Sequence, residues 1–250
     1  LACSFFFFLG LVRRRPRSFS DTLRPALLLG GKLVVFWGIV FAFTRFDPQF
    51  LGSSLDQSWE YAMNEAIATG MNIGRDIIFT FGPYADIYSQ TYHPGIVWFA
   101  LLSKLFLGLA YACLFCLYSR QYKIYWQLLF MALLLIFSDN PDAILYTYPL
   151  LWGLYVFRTV YAANNKATRN AALNSAAPWI YLLSIPLGML ILVKGTLIGV
   201  CGGIATVVLI YFIYLKRYGL AAALVAVPSV SCLIFWVVSG QKLLNLPYYF

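Results

Sequence analysis

Charge is what this chain has least of. Only 11% of its 250 residues are Asp, Glu, Lys or Arg, where soluble globular domains carry about a quarter, and that scarcity excludes an ordinary soluble domain. Acidic residues are the rarer sign, 9 against 18 basic, for a formal charge of +9. In a soluble protein such an excess would point to nucleic acid. Here Lys and Arg fall at the ends of apolar runs, where the positive-inside rule puts them, so nucleic acid is not an expected partner. Histidine occurs once, at His93, and a lone histidine is weak ground for a catalytic or metal-binding role. All five cysteines (Cys3, Cys113, Cys116, Cys201, Cys232) lie inside apolar runs. The Cys113-x-x-Cys116 spacing therefore reads as packing residues rather than redox or metal chemistry, and no disulfide framework is implied. There is also no repeat, low-complexity tract or soluble domain.

What the chain has instead is 62% hydrophobic residues and a mean hydropathy of +0.77, the composition of an integral membrane protein. The expected fold is an all-α polytopic membrane protein, one transmembrane domain over residues 1–250 with about seven helices and a partial N-terminal one. The run Leu1 to Val12 is shorter than the roughly 20 residues a span needs, so a longer parent chain is expected, truncated at the N-terminus, with Phe250 a second candidate cut. A signal peptide is the competing explanation of that run, but Arg13 to Arg17 follow the apolar residues instead of preceding them.

Complete spans read Ala26–Phe46, Ile96–Tyr118, Ile124–Phe137, Ile144–Ala162, Ala177–Val193, Leu197–Leu215 and Leu220–Ser239. Ile124–Phe137 is marginal in length and suits a short or tilted helix, or half of a re-entrant pair. Lys32 lies where it can snorkel, Lys104 is mid-span, and Pro186 and Pro228 are expected to kink their helices. Gly195, Gly199 and Gly203 share a face, the spacing of close helix packing.

With the basic cluster at 13–17 in the cytoplasm, Arg120 and Lys123, then Arg158, Lys166 and Arg169, then Lys216 and Arg217 fall on the same side. The loop over residues 47–95 is then extracytoplasmic, together with Ser138–Ala143, Val193–Thr196 and the C-terminal tail. The chain is expected in a cell membrane, the bacterial cytoplasmic membrane in particular. All carboxylates but Asp21 come to the outside.

That loop is where chemistry concentrates. Residues 54–95 hold Asp56, Glu60, Glu65, Asp76 and Asp86, plus His93. Ser54 and Gln57 form a capping-box pattern and Gly70 a C-terminal stop, which predicts a juxtamembrane helix over Leu55 to Thr69. Leu55, Trp59, Ala62, Met63, Ala66 and Ile67 form one stripe, suited to lying along the membrane with Trp59 in the interface. Asp56, Glu60 and Asn64 form a polar row beside it. Two carboxylates one turn apart could supply a general base or a divalent-metal ligand; equally, Asp56 stabilises the helix dipole and Glu60 faces water.

Beyond Met71, Gly82-Pro83 marks a turn, and Phe79, Phe81, Tyr84, Tyr88 and Tyr92 suit a headgroup-level belt. Arg75 next to Asp76 reads either as a local ion pair or as a fork for a phosphate. His93 before Pro94 suits a cap to the next span. Lys194 either snorkels or meets an anionic headgroup.

The order of features around the loop resembles GT-C membrane glycosyltransferases: an N-terminal span; then Asp56, Trp59, Glu60, Tyr61, Ala66 and Gly70; then an Asp and a Gly-Pro turn before the next span. More narrowly, GRDIIFTFGPYADIYSQTYHP is similar to a G-R-D-x-x-F-T-Y-G-P-L-G pattern in bacterial multi-pass proteins. The likeness covers residues 30–120 and is topological beyond them; a single Asp stands at 56 where many members show an adjacent acidic pair. The resemblance implies transfer of a sugar from a polyprenyl-phosphate donor to an envelope glycan, lipid or protein, with inversion, on the outer face. Asp56 would be the base, with Glu60 or Asp76 supporting a divalent cation, Mg or Mn. Arg75 and Lys194 would stabilise the departing phosphate, and Asp76 and His93 would contact substrate. The expected partners are membrane lipid and the lipid-linked sugar. The alternative from another class is a non-catalytic protein that transports or assembles envelope polysaccharide; it would place charges mid-span along a pathway.

Overall fold

An apolar run in lipid has one economical way to satisfy its backbone, which is to hydrogen-bond within a helix. The computed structural model follows that rule: it describes residues 19–44, 55–89, 91–161 and 166–250, and contains helices but no strands among them. Side chains at 19–24, 55–57, 166–167 and 169 lie outside the description.

In chain order the helices are α1 (Phe19–Phe43), α2 (Leu55–Ala68), the short α3 (Asp86–Ser89), α4 (Val97–Ser119), α5 (Ile124–Ile136), α6 (Pro141–Tyr161), α7 (Lys166–Leu182), α8 (Ile185–Leu190), α9 (Gly195–Tyr214), α10 (Tyr218–Val238) and α11 (Leu246–Tyr249). Among the described residues, five segments are long and apolar enough to cross a membrane: Pro25–Phe43, Pro94–Ser119, Asn170–Leu190, Gly195–Tyr214 and Tyr218–Val238. By length and composition this is an all-α, multi-pass membrane protein. α5 is too short to count among them. α6 has the length, but its Tyr-, Thr- and Pro-rich sequence is less apolar, and it runs through the interior with Tyr148, Trp152 and Val156 fully buried.

The run expected as one span over Ala177–Val193 overlaps the Asn170–Leu190 segment, but its helix is interrupted. α7 stops at Leu182, a turn occupies Leu183 and Ser184, and Pro186 opens α8. Pro186 has no N–H, so the helical ladder cannot continue through it and nearby carbonyls need other donors. α6 supplies them: the Tyr148 hydroxyl donates to Leu183 O at 2.8 Å and the Trp152 indole to Ile180 O at 3.2 Å. Pro186 thus breaks its helix, where a kink was expected. Pro228 stays within α10.

The glycine face of α9 also differs from expectation. A Cβ on Gly199 or Gly203 would meet nothing within 4 Å, so those two abut no other helix among the described residues, whereas one on Gly195 would stand 3.3 Å from Thr80 O.

α1, α4 and α5 pack together, and α6 links that group to α7 and α9, while α8 and α10 pack on each other. The hairpins leave the loop over 55–96, the turn at 137–142, the turn at 191–195 and the tail after α10 at one end of the bundle. The turns at 120–123 and 215–217 lie at the other.

Candidate functional site

The helix of the loop forms where its sequence places it, one residue shorter than expected. Gly70 closes it in a left-handed conformation (φ +73°), with Gly70 N–H on Ile67 O and Met71 N–H on Ala66 O, the paired bonds of a Schellman stop. Ser54, the expected cap, lies outside the described residues.

Two non-local attachments then shape everything after α2. The first holds residues 71–77 against the tail. Gln241, buried, accepts from Ile73 N–H at 2.9 Å and donates to Met71 O at 3.0 Å, and Asn245 donates to the Asn72 side chain at 2.8 Å. The second pairs residues 80–84 with 192–195: Gly82 N–H reaches Val193 O, Tyr84 N–H reaches Leu192 O, and Gly195 N–H reaches Thr80 O at 2.7 Å. The approach is so close that a Cβ on Gly82 would stand 2.2 Å from Leu192 O. Gly82-Pro83 is therefore a backbone docking point rather than a free turn. It draws Phe81 and Tyr84 inside, while Phe79 and Tyr92 stay exposed, so the five aromatics do not form one belt.

Lys194 is placed by this pairing. Its ammonium makes a bidentate ion pair with Asp142, at 2.9 and 3.1 Å, and donates to the Tyr88 hydroxyl at 3.3 Å. Tyr88 in turn donates to Asp142 at 3.1 Å. The ammonium also lies over the Tyr88 and Phe81 rings, 4.3 and 5.4 Å from their centroids. Burial opposes the charge on Lys194, but the bonds from Asp142 and Tyr88 outweigh it and raise its pKa, so the group is a cation at neutral pH. Burial raises the Tyr88 pKa as well. The wall continues through Trp59, stacked on Phe81 at 4.5 Å and tilted against Phe79 at 5.4 Å. Trp59, partly buried, thus packs against the aromatic side chains that follow α2.

The polar row of α2 also turns inward. The Thr91 hydroxyl donates to Glu60 at 2.7 Å, and buried Asn64 donates to Thr91 O at 2.9 Å. Ala62, expected on the apolar stripe, is exposed, while Met63 and Ala66 are buried. Asp56 sits in the first turn of α2; its side chain lies outside the description. Glu65, on another face of α2, meets His93: Nδ1 of His93 accepts from Gly95 N–H at 3.1 Å, which leaves Nε2 to donate to the Glu65 carboxylate at 2.8 Å. His93 therefore ties α2 to the start of α4.

Arg75 and Asp76 part company. The Asp76 carboxylate closes its own loop on the Asn72 N–H and side-chain amide, at 2.8 and 2.7 Å. Those bonds lower its pKa, with a smaller contribution from the Arg75 charge. The Arg75 guanidinium, exposed, lies 5.7 Å over the Tyr248 ring. Of the two sequence readings, the fork is the one its position leaves open.

Two residues at this end were not singled out by the sequence. Asp142 needed the fold to meet Lys194. Asp86 is 1% exposed and neither carboxylate oxygen has a hydrogen-bond partner. Burial pushes its pKa up to about 6, against the pull of the Lys104 charge and the nearby Asp86 and Ile87 N–H groups. Its only signal in the sequence was a carboxylate inside an aromatic stretch. Among the described residues, no three His, Cys, Asp or Glu side chains gather as a metal site.

Compared with protein-family models, with curated proteins and with solved structures, the chain matches none of them.

Proposed function

We propose that the loop end is a GT-C-like glycosyl-transfer site: the chain crosses a bacterial cytoplasmic membrane about seven times, with residues 47–95 outside, and handles a polyprenyl-phosphate-linked sugar there. The observation that carries this reading is Lys194, a cation held on the faces of Phe81 and Tyr88 where the loop meets the outer ends of α6 and α9. An anchored ammonium suits a phosphate, and an aromatic wall suits the apolar face of a sugar. In this scheme the Asp56 carboxylate takes the proton of the acceptor hydroxyl as its oxygen attacks the anomeric carbon. The bond from that carbon to the donor phosphate oxygen breaks, that oxygen keeps the electron pair, and Lys194 and Arg75 stabilise the negative charge of the departing phosphate.

A second reading, a non-catalytic assembly or transport protein, is favoured by a different observation. Lys194 with Asp142, His93 with Glu65, Glu60 with Thr91 and Asp76 with Asn72 are all paired within the chain, as in a structural clamp. Transfer from polyprenyl-phosphate sugars to an envelope acceptor in proteoliposomes separates the two. The first reading predicts that Asp56→Asn lowers turnover by about a hundredfold or more while leaving donor binding intact, the usual contribution of a general base. Transfer that survives Asp56→Asn would remove the base, and wild-type protein that binds donor without transferring would favour the second reading.

A further inference from the structure

At the opposite end of the bundle the C-terminus of α4 and the start of α5 enclose an open cavity of about 380 Å³. That is roughly a dozen water volumes. Its walls are aromatic: Phe115 and Phe130 stack at 4.4 Å, nearly parallel, and Tyr118, Tyr122 and Trp126 complete the lining. Such walls reject a cluster of water and accept a hydrocarbon chain of similar volume.

Charge points to what fills it. Arg158, in the last turn of α6, lies 5.0 and 5.1 Å over the Tyr118 and Tyr122 rings and donates to Tyr118 O. It pairs with no carboxylate among the described residues. Arg120 and Lys123 stand exposed on the connecting turn. Cations beside an aromatic slot at the end of a membrane helix match the headgroup level of a bilayer, where the chain of a lipid turns apolar and its phosphate stays wet.

We infer that this cavity is a binding site for an anionic phospholipid, with one acyl chain between α4 and α5 and its phosphate facing Arg158, Arg120 and Lys123. The site is separate from the transfer site at the loop end and stands whether or not that reading holds. A free phosphate would use the cations but leave the aromatic slot unfilled, which is why the proposal commits to the lipid.

The test is photo-crosslinking of the purified full chain in nanodiscs, with phosphatidylglycerol carrying a diazirine in its acyl chain, followed by peptide mapping. Label is expected on the segment from Phe115 to Phe130, displaced by unlabelled phosphatidylglycerol and not by phosphatidylcholine of the same chains or by inorganic phosphate. Arg158→Gln should raise the displacing concentration about fivefold, the value of one cation facing an anionic lipid. Because Arg158 is also packed, Arg120→Gln/Lys123→Gln is tested alongside it, on exposed residues that leave the fold intact, with the same direction expected. Label spread over lipid-facing α9 and α10 would overturn the site. Equal displacement by phosphatidylcholine would overturn its selectivity for charge, and displacement by inorganic phosphate would overturn the lipid as its ligand.

Discussion

The two ends of the bundle solve the same problem in opposite ways. At the loop end most carboxylates, amides and hydroxyls turn inward and pair with one another, the buried Asp86 carboxylate excepted, and backbone meets backbone so closely that a Cβ on Gly82 would strike Leu192 O. At the other end, cations sit on aromatic rings, Ser119 keeps an unpaired hydroxyl, and Gly219 has open space where a side chain would go. The first end is built by long-range pairing and tolerates little change; the second keeps an open cavity. The contrast locates structural specificity in the loop, and the spans act as its frame.

Glycine replacement breaks this contrast most sharply. Gly82→Ala should cost about 3 kcal/mol or more, since the obstacle is backbone that cannot rotate away. Gly219→Ala should change stability by less than about 1 kcal/mol and towards stabilisation, through helix propensity alone. Thermal unfolding in detergent compares the two, and similar melting points would erase the distinction between the ends.

Asp86 supplies a pH dependence. Its folded pKa of about 6 stands above the ordinary 3.8, so the native state holds the proton more tightly than the unfolded chain does. Native stability should therefore fall as pH rises from about 4 through about 6, by up to about 3 kcal/mol when the shift is fully expressed. Asp86→Asn should lack that loss and melt above wild type at pH 7.5, with the gap closing near pH 4. Parallel melting curves across this range would show that Asp86 is not buried as described.

Lys194→Met should destabilise by about 1–2 kcal/mol, below the cost of breaking a fully buried pair, because Asp142 keeps about a third of its side-chain surface in water. Thr91→Val, which removes the single bond from Thr91 to Glu60, should cost about 1 kcal/mol. A larger loss for Thr91→Val than for Lys194→Met would shift the anchor of the loop from the 193–195 turn to α2.

What the sequence made legible follows from distance along the chain. α2 and its Gly70 stop were readable because capping and periodicity act within four or five residues. The apolar helices were readable because lipid demands them. Asp142 was not, because its partner lies 52 residues away at Lys194, and no local pattern encodes that pairing. The same holds for Gln241, which meets Ile73 across 168 residues. Pro186 was seen but its effect was underestimated, since a kink and a break differ only in whether Tyr148 and Trp152 stand ready to take the freed carbonyls. The glycine spacing in α9 matched a packing motif, with no partner helix among the described residues at Gly199 and Gly203 to fill it.

The most direct test of Lys194 as the anion contact of the loop end is titration of the full chain in nanodiscs with a polyprenyl phosphate. The account predicts saturable binding that Lys194→Met weakens about tenfold, one ion contact in a partly dry site, and that Gly219→Ala, which touches neither site, leaves unchanged. Binding by folded Lys194→Met equal to that of wild type, or no saturable binding at all, would contradict it.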